Sequence, residues 1–256
     1  MSLVDSHCHL NMLEGDLSTI IDSAKEVGVE TILCVGVDLE NSQGAIAIAE
    51  RFPQVWASVG LHPSHKIESE TAKQEYLNLA KNKKVVAIGE TGLDYYYNKE
   101  GLDEMRESFR SQIRLARELN KPLIIHTRDA REDTLKIMRE ERATEVGGVM
   151  HCFTESLEMA EAAMELGFYI SFSGIVTFNK AENVAAVAKQ IPLERMLIET
   201  DAPYLTPVPF RGKPNQPQYV RFVAQRIAEL KNCAVELVAQ KTTENFYNLF
   251  KCQRPT

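Results

Sequence analysis

The 256-residue chain contains no run of apolar residues approaching the length of a membrane span, which excludes a helical transmembrane segment. Its opening residues, MSLVDSHCHL, offer neither a basic n-region nor an apolar stretch with a small-residue cleavage site. No secretory signal is read there, and the expected location is the cytoplasm. Cysteine is sparse: Cys8, Cys34, Cys152, Cys233 and Cys252 are odd in number, scattered and never in a CxxC pair. That argues against a disulfide framework or a structural zinc knuckle and leaves small buried side chains as the ordinary reading. An excess of basic charge is missing as well, since the formal net charge is −7. No global positive field draws in nucleic acid, so any polyanionic substrate must be captured by local cations or by metal. Phosphate-loop and nucleophile-elbow motifs are also lacking: no GK[ST] follows Gly89, and there is no GxSxG.

What the chain does have is alternation. Short runs rich in Val, Ile and Leu recur, each followed by a longer amphipathic stretch, the pattern of βα units and a parallel sheet. Eight strands are predicted, over residues 3–8, 31–37, 55–61, 85–90, 122–126, 148–152, 169–175 and 196–201, with helical patterns such as 17–27, 103–119, 156–166 and 180–190 between them. A Pro/Gly-rich loop at 202–217 and two helices, 219–231 and 234–250, follow. Eight such units in a chain of this length suit a single-domain (β/α)8 TIM barrel over residues 1–256 better than an open sheet.

The histidines carry the chemistry. Of the six, at 7, 9, 62, 65, 126 and 151, all but His65 fall at or just beyond a predicted strand's C-terminal end. In a barrel those ends converge on one mouth, where active sites sit. Strand alternation turns His7 and His9 inward together and Ser6 and Cys8 away; the same phase pairs Ile88 with Glu90, Ile124 with His126, Val149 with His151, and Leu197 with Glu199 and Asp201. Four histidines (His7, His9, His126, His151) and two carboxylates (Glu90, Asp201) on one rim suit divalent cations, which neutralise the carboxylates and accept imidazole lone pairs. Six donors exceed what one tetrahedral ion needs. Two ions per subunit are therefore expected, one carboxylate bridging, roughly 3.5–4 Å apart. Zn, Mn and Mg are the candidates: imidazole favours the transition metals, while Mg prefers oxygen.

Such a centre activates water without a protein nucleophile, and Asp201 is the expected base. His62, before Pro63, is the candidate to touch a phosphate oxygen or the leaving group. Glu199, one layer deeper, is read either as a support for a ligand or as part of a buried salt bridge. Arg128, Arg131, Arg211 and Lys213 follow strands 5 and 8 and offer a local substrate-binding rim; solvated surface charge is the ordinary alternative. Tyr95, Tyr96, Tyr97, Phe153, Tyr204 and Phe210 could stack on bases or simply pack loops against the barrel.

Several stretches resemble one family: Val4-Asp5-Ser6-His7-Cys8-His9-Leu10, Gly60-Leu61-His62-Pro63, Gly89-Glu90-Thr91-Gly92-Leu93-Asp94, residues 122–129, His151-Cys152-Phe153-Thr154 and Glu199-Thr200-Asp201-Ala202-Pro203-Tyr204. They are similar to the TatD family of metal-dependent deoxyribonucleases, within the amidohydrolase superfamily. The resemblance implies a TIM barrel with two metal sites, one using His7, His9 and Asp201, the other His126 and His151, with Glu90 bridging where many amidohydrolases place a carboxylated lysine. It further implies hydrolysis of DNA from the 3′ end with release of mononucleotides. The acidic chain lacks the basic face that holds a duplex, so the expected partner is a single-stranded DNA end, with no membrane and no obligate protein partner. The rival expectation is an amidohydrolase acting on a small amide, ester or lactone, because the same centre activates water against carbonyl carbon.

Overall fold

The computed structural model describes residues 1–65 and 70–254. Eight parallel strands are hydrogen-bonded in the order in which they occur: β1 (Leu3–Cys8), β2 (Val29–Cys34), β3 (Val55–Val59), β4 (Val85–Asp94), β5 (Leu123–Arg128), β6 (Gly148–Met150), β7 (Phe168–Phe172) and β8 (Met196–Ile198). The ring is drawn together at one end. Beyond β8, the Asp201 N–H donates to the His7 carbonyl and the His9 N–H to the Ala202 carbonyl, at 2.9 and 2.8 Å. The expected (β/α)8 barrel is what the chain forms.

Helices α1 (Leu17–Glu26), α2 (Leu39–Arg51), α3 (Glu70–Ala80), α4 (Leu102–Leu119), α5 (Arg131–Glu140), α6 (Leu157–Glu165), α7 (Glu182–Gln190) and α8 (Val220–Lys231) follow the eight strands in turn, and α9 (Val235–Phe250) ends the series. Several begin where a short polar side chain accepts a free first-turn N–H: Asp16 from Thr19, Asp38 from Asn41, Ser156 from Met159. Covered on both sides, β1 and β4 are buried along their whole length, which is why they read as near-continuous apolar or small-residue runs.

Two cores result. The larger lies between strands and helices and includes Phe109, Ile113, Phe168 and Phe172. The smaller fills the barrel, with Val4, Leu33, Val35, Ile124, Val149 and Leu197 closed from below by Phe246, Leu249 and Phe250 of α9. Among the described residues no helix is long and apolar enough to cross a membrane.

The strands differ from expectation in extent and phase. β6 and β8 stop at Met150 and Ile198, so His151 and Asp201 stand in the turns that follow, while β4 runs on to Asp94. Ile88 does not share the inward face with Glu90. It packs in the outer core, whereas Ala87 and Val86 belong to the inner one. The reason is a register shift against β3 between Ala57 and Ser58; a second shift, against β5 between Ile88 and Thr91, returns Glu90 to the interior. Likewise β1 is irregular between Asp5 and Cys8, and Ser6 reaches Ser171, 3.4 Å away, instead of turning outward with Cys8.

Candidate metal centre

All six expected donors meet at the mouth. His7, His9, Glu90 and His151 are buried, and His126 and Asp201 are partly open. Backbone geometry delivers them. The Glu90 N–H is held by the Gly36 carbonyl at 2.8 Å. Gly92 has φ +143°, and a Cβ there would lie 1.9 Å from the His126 carbonyl oxygen, so glycine is what lets β4 run so close to the strand that carries His126. Asp201 itself takes a left-handed φ of +58°. That conformation is uncommon for a residue with a Cβ, and here it is pinned from both sides: its N–H goes to the His7 carbonyl and its own carbonyl accepts the Tyr204 N–H.

Glu90 divides its two oxygens between two sets of histidines. Oε2 lies 3.4 Å from His7 Nε2 and 3.9 Å from His9 Nε2. Oε1 lies 2.8 Å from His151 Nε2, 3.1 Å from His126 Nδ1 and 3.4 Å from His62 Nε2. Asp201 Oδ1 completes the first set, 3.4 Å from His9 Nε2 and 3.6 Å from His7 Nε2. Donor atoms within 4.8 Å of one another define three overlapping groups: His7, His9 and Asp201; His7, Glu90 and His151; His62, Glu90 and His126. Burial would raise the Glu90 carboxyl, but the charges of His151 and His62 and the hydrogen bonds of His126 and His151 outweigh it and hold the group well below the usual range. Asp201 is lowered in the same way, burial being outweighed by the His9 hydrogen bond and the charges of His7, His151 and His9.

The outer partners sort the imidazoles by which nitrogen they present. His9 Nδ1 sits 3.0 Å from the Val35 carbonyl, and His151 Nδ1 3.1 Å from Glu199 Oε1. Both neighbours are acceptors, so in the neutral rings the proton lies on Nδ1 and the Nε2 lone pair faces the centre. His126 is turned the other way: its Nε2 lies 3.1 Å from Asp94 Oδ2, leaving Nδ1 towards Glu90. His62 differs from all three. Its Nδ1 accepts the Ser64 N–H at 3.1 Å, so the neutral ring carries its proton on Nε2, and burial pushes its pKa down to about 4. It presents an N–H to the cavity, not a lone pair.

These donors fit divalent cations. His7 Nε2 and His9 Nε2 face each other at 3.3 Å, and five imidazoles crowd one buried carboxylate, an arrangement costly without cations between the groups. Glu199 combines the two expected readings: it pairs with buried His151 at Nδ1, 3.1 Å away, and it accepts from the Cys152 N–H at 2.7 Å and the Ser171 hydroxyl at 2.5 Å. Asp94 was not singled out from the sequence. Extending strand 4 by its own alternation, 90, 92, 94, would have put it on the face of Glu90.

A cavity of about 640 Å³ opens above the centre. Of the four expected rim cations, Arg128 lines it. Arg131, Arg211 and Lys213 do not: Arg131 pairs with Glu155 at 3.2 Å, Arg211 lies over the Phe178 ring at 3.8 Å, and Lys213 lies 5.5 Å from the Phe210 ring. The aromatic residues divide too. Phe153 is buried, Phe210 stacks on Tyr219, and the Tyr95 hydroxyl donates to Asp133, whereas Tyr96, Tyr97 and Tyr204 are exposed.

Residues 4–251 match the sequence profile of the TatD related DNase family. The chain belongs to that family. Within it, a relative from Escherichia coli named uncharacterized metal-dependent hydrolase YcfH is 49% identical, over 98% of this chain and 96% of that one. The 3'-5' ssDNA/RNA exonuclease TatD of Escherichia fergusonii is 35% identical, over 92% and 93%. Among solved structures, YJJV, a TatD homolog from Escherichia coli, superposes with a TM-score of 0.93 at 29% identity, covering 98% of both chains. The chain thus stands among the metal-dependent hydrolases of the TatD family.

Proposed function

We propose that this protein is a metal-dependent deoxyribonuclease that removes nucleotides from the 3′ end of single-stranded DNA. The observation that carries the two-ion part of this reading is the division of Glu90, one oxygen towards His7 and His9, the other towards His126 and His151. One ion would be held by His7, His9 and Asp201, the other by His126 and His151, with Glu90 between them. Cations held there would acidify a water and draw charge from the scissile phosphoryl group.

The chain's own residues have separate tasks. Asp201, kept ionised, accepts the proton of the attacking water as the new bond to phosphorus forms and the bond to the departing 3′-oxygen breaks; that oxygen takes a proton from water. His62, neutral and protonated on Nε2, donates a hydrogen bond to a phosphate oxygen. Arg128 holds the adjoining phosphate from the rim. The direction of attack and the preference for single strands are supported by the relative from Escherichia fergusonii.

End-labelled single-stranded and duplex oligonucleotides, incubated with Zn, Mn or Mg, test the reading. A single strand shortening from its 3′ end, faster than the duplex, is expected. Cleavage at internal positions would remove the exonuclease assignment. No cleavage with any of the three metals, together with turnover of a lactone or amide, would move the protein to small-molecule hydrolysis.

A further inference from the structure

Three exposed tyrosines stand at the mouth, and large exposed apolar side chains are few elsewhere among the described residues: Met1, Val208 and Leu237. Tyr97 is 70% exposed and Tyr204 56%, and both line the cavity. They follow β4 and β8, which lie on opposite sides of an eight-strand ring. Tyr97 meets the Tyr96 ring edge-on at 4.9 Å, and Tyr204 stands edge-on to His9 at 6.3 Å with its hydroxyl 3.9 Å from Met12 Sδ, yet each stays more than half exposed. Their backbones, by contrast, are firmly placed, each one hydrogen bond from the centre. The Tyr97 N–H donates to Asp94 Oδ1 at 2.9 Å, while the other oxygen of Asp94 faces His126. The Tyr204 N–H donates to the Asp201 carbonyl at 2.9 Å, and the Tyr204 carbonyl accepts from the buried Asn215. The Arg128 guanidinium, which also lines the cavity, lies 3.9 Å from the Tyr96 ring and 4.7 Å from that of Tyr97.

We propose that Tyr97 and Tyr204 form a two-sided clamp for the nucleobases flanking the scissile phosphate, with Arg128 taking the phosphate beside the Tyr97 stack. This rests on the nuclease reading and deepens it. Two exposed rings facing one cavity suit flat, π-faced groups, and every base offers such a face, so the clamp grips single strands with little regard to sequence. A guanidinium already seated on a tyrosine ring adds a cation where the backbone must pass, on a chain whose net charge is −7. A base stacked on a protein ring must first leave its own duplex stack, which costs least at an unpaired end. The clamp therefore also selects unpaired ends.

The test compares an oligonucleotide bearing ordinary bases with one whose 3′-terminal residues are abasic. The wild-type protein is expected to show a KM lower by roughly 5- to 100-fold for the base-bearing strand. Tyr97→Ala and Tyr204→Ala are each expected to raise that KM, to change kcat less, and to bring the two substrates together; Tyr97→Phe and Tyr204→Phe should restore the difference. Fluorescence anisotropy of a labelled strand gives the same comparison without turnover. Equal KM for both substrates in the wild type, or alanine variants that keep the difference, would overturn the clamp and leave the nuclease reading standing. Failure of the wild-type protein to cleave either strand with Zn, Mn or Mg would overturn both.

Discussion

The two ends of the barrel are made from the same strands and do opposite work. At the mouth, buried and half-buried polar groups crowd together: five histidines and the carboxylates of Glu90, Asp94, Glu199 and Asp201 are held in a web in which Glu90 and Asp201 are each shared by several ring nitrogens. At the floor, α9 inserts Phe246, Leu249 and Phe250 beneath Val4, Val86 and Leu197, and polar groups there serve the backbone. Asn245 donates to the Leu193 and Met196 carbonyls, and Lys84 reaches those of Phe52, Pro53 and Val55. The floor gains stability from apolar burial, about 1.5–3 kcal/mol for each large side chain removed from water. The mouth places charged and polar groups where burial disfavours them, and cations are needed to offset that cost.

Changes at the two ends should therefore separate chemistry from stability. The largest effect is expected for Glu90→Gln, which should weaken binding at both ion positions together by more than roughly 100-fold, beyond what loss of an outer partner costs. His126→Ala should mainly empty one. Metal titration distinguishes them, and a Glu90 variant that retains two tightly bound ions would sink the bridging assignment. Next comes Asp201→Asn, expected to lower kcat by roughly 100- to 10,000-fold at saturating metal while the thermal midpoint of the metal-free protein moves little. Near-native turnover would eliminate Asp201 as the base.

The reverse pattern is expected from the floor. Phe246→Ala should destabilise the fold by about 3–5 kcal/mol, read from urea unfolding, with metal affinity of the folded protein unchanged. A parallel loss of metal affinity would show that floor and mouth are not independent. The smallest effect belongs to Tyr247→Phe, which removes the hydroxyl 2.6 Å from Thr31 Oγ1 and should cost about 1 kcal/mol, with no change in turnover.

How far the sequence could be read also follows the two ends. The barrel and its six rim donors were legible because each donor ends a short apolar run, and such runs are what parallel strands buried on both faces require. Alternation alone misplaced Ile88 and Ser6, since a one-residue register shift reverses every later side chain and leaves no trace in composition. Asp94 was missed for a related reason: β4 continues four residues past Glu90 through Gly92, which reads as a strand end unless the neighbouring His126 carbonyl is known to press against it. The rim cations were over-counted. Nothing in the sequence told Arg128, which lies over tyrosine rings at the cavity, from Arg131, which is drawn to Glu155.

The closing contacts of the ring have a consequence for synthesis. Thr200 donates to Asp5 from 195 residues away, and the neighbouring Asp201 N–H reaches back to His7, so one group of donors is assembled from the first strand and the turn after the last. A ribosome that has delivered His7, His9, Glu90, His126 and His151 has not yet delivered the carboxylate proposed as the base, nor the backbone bond that seats β8 beside β1. The proposed centre is thus complete only with ring closure, and a stalled or truncated nascent chain lacks one of its carboxylates.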